Sequence, residues 1–171
     1  MTAASSSSFL LSGLLLIFAT GCGDGEREVE VSVAPRLVIG TGEAEFQPIE
    51  GEPTIELAAG FQGGFHVWVS FLAYGVDEDR LKVELYTQQV DDIGTRLKLG
   101  GLLQFVPDTD ADGVPVYRLA GYPGQLKSAR CADGKHVLIE ATMTDSNGRT
   151  AHDERHCIVT LAEQYRSQNC P

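Results

Sequence analysis

Along most of the chain apolar and polar residues alternate, most cleanly between Lys135 and Leu161. Val137, Ile139, Ala141 and Met143 fall between His136, Leu138, Glu140, Thr142 and Thr144, the period of a strand with one buried face. The run breaks at Asp145-Ser146-Asn147-Gly148. Asn-Gly between alternating segments predicts a two-residue type I′ hairpin, whose central residues both need positive φ. The chain returns through Thr150 with Cys157, Val159 and Leu161 on one face. Over Phe65 to Tyr74, Phe65, Val67, Val69, Phe71 and Ala73 share one face, while Trp68 and Leu72 make the other partly apolar. A strand apolar on both sides is expected to be central and covered.

Weaker patterns fill the rest. Val29, Val31 and Val33 alternate with Glu28, Glu30 and Ser32, and Arg36 to Ile39 resumes that strand after Pro35. Ala44 to Ile49 and Thr54 to Ala58 flank the turn composition Glu50-Gly51-Glu52-Pro53. Leu81, Val83 and Leu85 face inward from another strand, and Arg96 to Val106 is expected to bend at Gly100-Gly101. Val114 to Ala120 and Leu126 to Cys131 follow, and Asp133-Gly134 turns the chain into the hairpin. Roughly eight to ten short strands, with turns about every 8 to 12 residues, favour an all-β antiparallel sandwich over a barrel. The helical candidate is the short tail Leu161 to Ser167.

Composition changes the picture at the N-terminus. Phe9 to Ala19 is apolar apart from Ser12 and Gly13, too short for a bilayer span and suited to a signal-peptide core. The expected organisation is a signal peptide over 1–21, a short acidic linker over 22–28, a sandwich over 29–165 and a tail over 166–171. The formal charge of −11 lies wholly beyond the signal segment. Phosphate recognition needs clustered Lys and Arg, so nucleic acid is excluded as a partner. The same charge is repelled by anionic lipid, so a membrane attachment would have to be covalent.

Ala19-Thr20-Gly21-Cys22 resembles the bacterial lipobox, with Ala19 where leucine is usual and a leader without Lys or Arg. The resemblance implies acylation of Cys22, which would anchor the mature chain in a membrane through lipid. Gly23 after the cysteine implies the outer membrane. An ordinary secretory peptide, cut after Ala19 or Gly21, is the alternative. The segment VLIEATMTDSNGRTA (residues 137–151) resembles the last two strands of immunoglobulin-like domains in bacterial envelope proteins. AGFQGGFHVWVS (residues 59–70) resembles a stretch of uncharacterised bacterial lipoproteins of similar length. These resemblances imply an immunoglobulin-like antiparallel β-sandwich and carry no activity with them.

Candidate chemistry is sparse. Asp108, Asp110 and Asp112 before Gly113 match the first half of a calcium loop, but Leu119 stands where the closing bidentate Glu belongs. An acidic loop tip is the expected reading, with a weak calcium site as the alternative; no other cofactor is expected. His152 and His156 sit four apart on a strand, roughly 13 Å, too far to share one ion. Gly60-Phe61-Gln62-Gly63-Gly64 precedes a strand, not the helix a phosphate cradle needs, so it reads as a turn. Its functional alternative is a binding loop displaying Gln62 with His66 and Trp68 nearby. A Cys131–Cys157 disulfide is favoured and Cys131–Cys170 is the runner-up, since two hairpin turns would hold Cys131 and Cys157 roughly 9–10 Å apart in one sheet. No Gly-x-Ser-x-Gly, Cys-x-x-Cys or nucleotide-binding glycine pattern occurs. The expected function is a lipid-anchored, non-catalytic envelope module that contacts envelope proteins or glycans through inter-strand loops. A small envelope hydrolase is the alternative.

Overall fold

A computed structural model describes residues 33–60, 64–91, 96–127 and 131–166. The chain divides between residues 31 and 32, and every described residue belongs to the second unit. Its strands are β1 (Arg36–Thr41), β2 (Gln47–Pro48), β3 (Thr54–Glu56), β4 (Ala58–Ala59), β5 (Phe65–Tyr74), β6 (Arg80–Gln89), β7 (Arg96–Gln104), β8 (Val106–Thr109), β9 (Pro115–Gln125), β10 (Lys135–Thr144) and β11 (Thr150–Thr160), followed by the short helix α1 (Glu163–Arg166).

The strands form two sheets. Sheet I runs β2-β1-β5-β9-β8, with β4 also on β5, and sheet II runs β3-β11-β10-β6-β7. Every pairing is antiparallel except β3 with β11. The orders β1-β5-β9-β8 and β11-β10-β6-β7 are the A-B-E-D and G-F-C-C′ orders of an immunoglobulin-type sandwich. The topology arises without the usual pin. Neither β5 nor β10 carries a cysteine, and the tryptophan, Trp68, points away from the core.

The core is aliphatic and follows the alternation. Val67, Val69 and Phe71 from β5 meet Leu81, Val83 and Leu85 from β6 and Val137, Ile139 and Met143 from β10, all fully buried. Each such side chain contributes about 1.5–3 kcal/mol through burial. The β10–β11 hairpin pairs in unbroken register from Lys135 with Val159 to Thr144 with Thr150.

Its turn is longer than expected. Asp145 and Arg149 close the ladder, and Gly148 N–H donates to Asp145 O at 3.0 Å. Ser146 and Asn147 therefore occupy the centre of a turn that ends in a left-handed Gly148 at φ 76°, a three-residue loop. The buried Asp145 carboxylate selects it by accepting the Arg149 N–H at 2.8 Å and pairing with its guanidinium at 2.6 Å.

Other expectations need correction. β7 does not bend at Gly100-Gly101; its pairing with β6 runs straight through them, and the chain changes sheets at the buried Phe105. Leu126 to Cys131 forms no strand over its described residues. In the segment 152–156 the residues alternate, with His152, Glu154 and His156 exposed and Asp153 and Arg155 half-buried. Asp153 Oδ2 accepts the Ile39 N–H of β1 at 2.6 Å and pairs with Arg155 at 2.9 Å. β2 covers β1 only at Gly40 and Thr41, so the Ile39 donator group on that edge takes an acceptor from the other sheet. The Val29–Val33 strand falls almost wholly outside the described residues.

Candidate functional site

The outer face of sheet I holds more polar and aromatic structure than its alternation requires. From β5 it displays His66, Trp68, Ser70, Leu72 and Tyr74. The residues between β1 and β2 fold back across this face. Gly42 O accepts from Ser70 Oγ at 2.8 Å and from Gly121 N–H at 3.1 Å. A Cβ on Gly121 would lie 2.3 Å from Glu43 O, and its φ is 71°, so the crossing requires glycine there. The pairing of β5 with β9 shifts register between Val69 and Phe71, beside the same crossing.

On one side of the crossing lies a groove of about 740 Å³. Registry builds its floor: Arg36 pairs with Tyr74, and Leu72 sits between Val38 and Arg118. Leu72 is 8 % exposed and Val116, opposite Asp108, is 4 % exposed, yet neither belongs to the core between the sheets. They are covered from outside. Phe46 and the loop Asp108–Asp112 form the walls.

The polar groups are tied to one another. The Arg36 guanidinium lies 3.6 Å above the Tyr74 ring centre, an orientation that favours a cation. Tyr74 Oη donates to Asp110 Oδ2 at 3.1 Å. Asp110 Oδ1 accepts the N–H groups of Val114 at 2.8 Å and Asp112 at 3.0 Å. Asp108 accepts the Thr109 N–H at 2.8 Å and pairs with Arg118, which also donates to Ala44 O at 3.2 Å. The Val114 amide chiefly holds Asp110 below the usual carboxylate range, and the Thr109 amide, followed by Arg118, does the same for Asp108. Burial, reinforced by Asp110, pushes the Tyr74 hydroxyl up. The groove therefore presents ionised carboxylates and a neutral phenol.

Asp108, Asp110 and Asp112 share a loop but do not gather on one point. Among the described residues no three His, Cys, Asp or Glu side chains are placed to hold a metal ion. Two of the three aspartates accept from amides of their own loop, which turns their oxygens inward.

On the other side of the crossing, Trp68 lines a smaller pocket of about 260 Å³ with Thr41, Gln47 and Ile55. His66 meets Trp68 edge-on, ring centres 4.2 Å apart. Burial lowers the His66 pKa against the opposing pull of Glu43, and Nε2 is buried without a hydrogen-bond partner among the described residues. Gln62 lies outside those residues, as does Cys22. Gly60 N–H donates to Gly64 O at 2.7 Å, and residues 61–63 between them lie outside the described residues. His152 and His156 stay apart: one faces Glu140 at 3.5 Å, the other Glu154 at 3.2 Å.

The favoured bridge is not formed. Cys157 is a free thiol buried in the core, whereas Cys131 is disulfide-bonded. Cys157 faces inward opposite Val137, and burial, then Glu52, pushes its thiol up to about 12. Cys131 lies before β10, outside the sheet. Cys170, the runner-up partner, falls outside the described residues.

Arg36, Phe46, Tyr74 and Arg118 escaped the sequence reading. The available signal was the apolar second face of β5, which implied a covering but not what supplies it.

No protein-family profile matches the chain, and no curated protein does either. Among solved structures, murine CRIg is similar at 8 % identity and a TM-score of 0.31, over 75 % of this chain and 99 % of that one.

Proposed function

We propose that the protein is a lipid-anchored, non-catalytic module of the bacterial cell envelope, held by Cys22 in the outer membrane, whose sandwich contacts an envelope protein or glycan. The observation that carries the reading is the groove on sheet I. It combines a covered apolar floor with a rim of interlocked charges, the composition of a contact surface. Its aspartates are shifted towards the ionised form, opposite to the raised pKa a general acid needs at neutral pH. Inter-strand loops form its walls, the usual location for recognition on a sandwich.

Crosslinking of the lipidated protein in its own envelope, followed by affinity capture, tests the contact. Arg118→Ala together with Tyr74→Phe is expected to lose the captured partner while the fold is retained. Unchanged capture, or turnover of an envelope substrate by the purified chain, overturns the reading. Repeating the capture with chelator decides whether the Asp108–Asp112 loop needs calcium. For the anchor, Cys22→Ser is expected to move the protein from the detergent phase to the aqueous phase. Equal partitioning of variant and parent would remove the lipid from the proposal.

A further inference from the structure

β7 ends sheet II. It pairs with β6 along all 9 of its residues, and no described strand pairs its other side. An open strand of this length is a template for another chain unless something blunts it. Proline and inward-pointing charge are absent from β7; its leucines alternate with exposed Arg96 and Lys98.

Two features make the edge more than unpaired backbone. Gly100 approaches β6 so closely that a Cβ there would lie 2.1 Å from Val83 O, whereas a Cβ on Gly101 would meet nothing within 4 Å. The glycine pair opens a notch of about 460 Å³ bordered by Lys82, Leu99 and, from the opposite sheet, Tyr122. The second feature is charge. Lys82 and Lys98 share Glu84, at 3.7 and 3.1 Å, and Arg96 lies 4.0 Å over the Tyr86 ring and 2.6 Å from Glu140. Three cations against two carboxylates leave this edge with one net positive charge on a chain of formal charge −11. Beyond these charges Leu102 and Val106 are 59 % and 48 % exposed.

We infer that the β7 edge is a strand-addition site for an extended acidic peptide segment. The segment's backbone continues sheet II, its carboxylates lie along Lys98 and Arg96, and one apolar side chain enters the Gly100–Gly101 notch. Main-chain bonds supply affinity in this mode and alternate side chains supply specificity. A second copy of this chain fits less well. Two β7 strands paired antiparallel about Gly100 would set Lys98 against Leu102 and Arg96 against Gln104, so neither cation would meet a carboxylate, and both bodies are acidic. The inference is independent of the groove on sheet I, which lies on the other sheet.

The test uses the full chain in detergent with two acetylated probe peptides, alternating Glu-Val and alternating Lys-Val, read by fluorescence anisotropy and amide exchange. The Glu-Val peptide is expected to bind, to weaken about tenfold at high salt through screening, and to slow exchange of β7 amides. Arg96→Gln with Lys98→Gln, which remove the cations without setting new carboxylates against Glu140 and Glu84, should abolish the preference for the Glu-Val peptide while exchange of the β6 and β10 amides stays at the parent's rate. Equal binding of both peptides overturns the inference. So does protection that appears elsewhere than β7, or concentration-dependent dimerisation that protects β7 without peptide.

Discussion

The β10–β11 hairpin and the β7–β8 corner are built from equally apolar sequence, yet one is a core element and the other is rim. In β10 every second residue is fully buried, and slipping the register by one would place Val137, Ile139, Ala141 and Met143 in water. In β7 Leu97, Leu99 and Leu103 keep to one face, but Gly101 leaves a gap in that face and Leu102 points out of it, so no register buries all four leucines. The chain instead leaves sheet II at Phe105, which alone in the corner is fully buried. Regular alternation fixes which face of a strand is buried, whereas an interrupted pattern leaves part of that face unfilled.

The largest break in that contrast should come from the centre. Phe71→Ala is expected to lower stability by about 3–5 kcal/mol, the cost of a large cavity that cannot collapse. Leu102→Ala in β7 should stay within about 0.5 kcal/mol, as at an exposed site. Urea denaturation of both variants checks the pair, and comparable losses would dissolve the distinction.

The crossing over sheet I should be nearly as sensitive as the core although it lies outside it. Gly121→Val forces a side chain into the space of Glu43 O at a positive φ, with an expected loss of about 1–3 kcal/mol. A melting temperature equal to the parent's would mean that the loop yields and the groove is not held by it.

A loss of similar size is expected at the sheet I–sheet II contact. Asp153→Ala removes the acceptor of Ile39 N–H and the partner of Arg155, about 1–3 kcal/mol for groups left unsatisfied. Asp153→Asn keeps an acceptor and should recover part of it. Exchange of the Ile39 amide, read in both variants, separates loss of this bond from general loosening.

The acidic limb of the stability profile is the mildest test. Asp108 and Asp110 titrate below the ordinary value of 3.8 because amides and Arg118 favour their charged forms. Burial of Asp145 works against its ionisation, but Arg149 overcomes it, so this carboxyl too ends below 3.8. Groups with depressed folded pKa values stabilise fully above the unfolded value and lose that stabilisation as pH falls through the folded one. These carboxyls should leave stability level down to about pH 5 and lower it below about pH 4, while the depressed His66 pKa adds a loss that begins as pH falls below 6.5. Asp145→Asn should flatten the decline more than Asp108→Asn, since Asp145 is the buried one.

Asn147-Gly148 marked the hairpin correctly but not its length, because Asp145 acts through hydrogen bonds that alternation does not encode. His152 to His156 carried the period of a strand, and only the open edge of β1 explains why Asp153 turns inward. The cysteines show the limit most plainly. Four positions in a sequence permit several pairings, and which thiol meets which depends on the side of the sheet each one faces. What local pattern determined was the all-β class, the faces of β5, β6, β10 and β11, and the aliphatic core, since burial of alternate residues is a property of neighbouring positions. What the tertiary structure alone decided was the strand order, the buried free Cys157, the groove over Leu72 and the open β7 edge. Each of these depends on which distant strands come to lie side by side, and a period of two is the same whichever partner a strand finds.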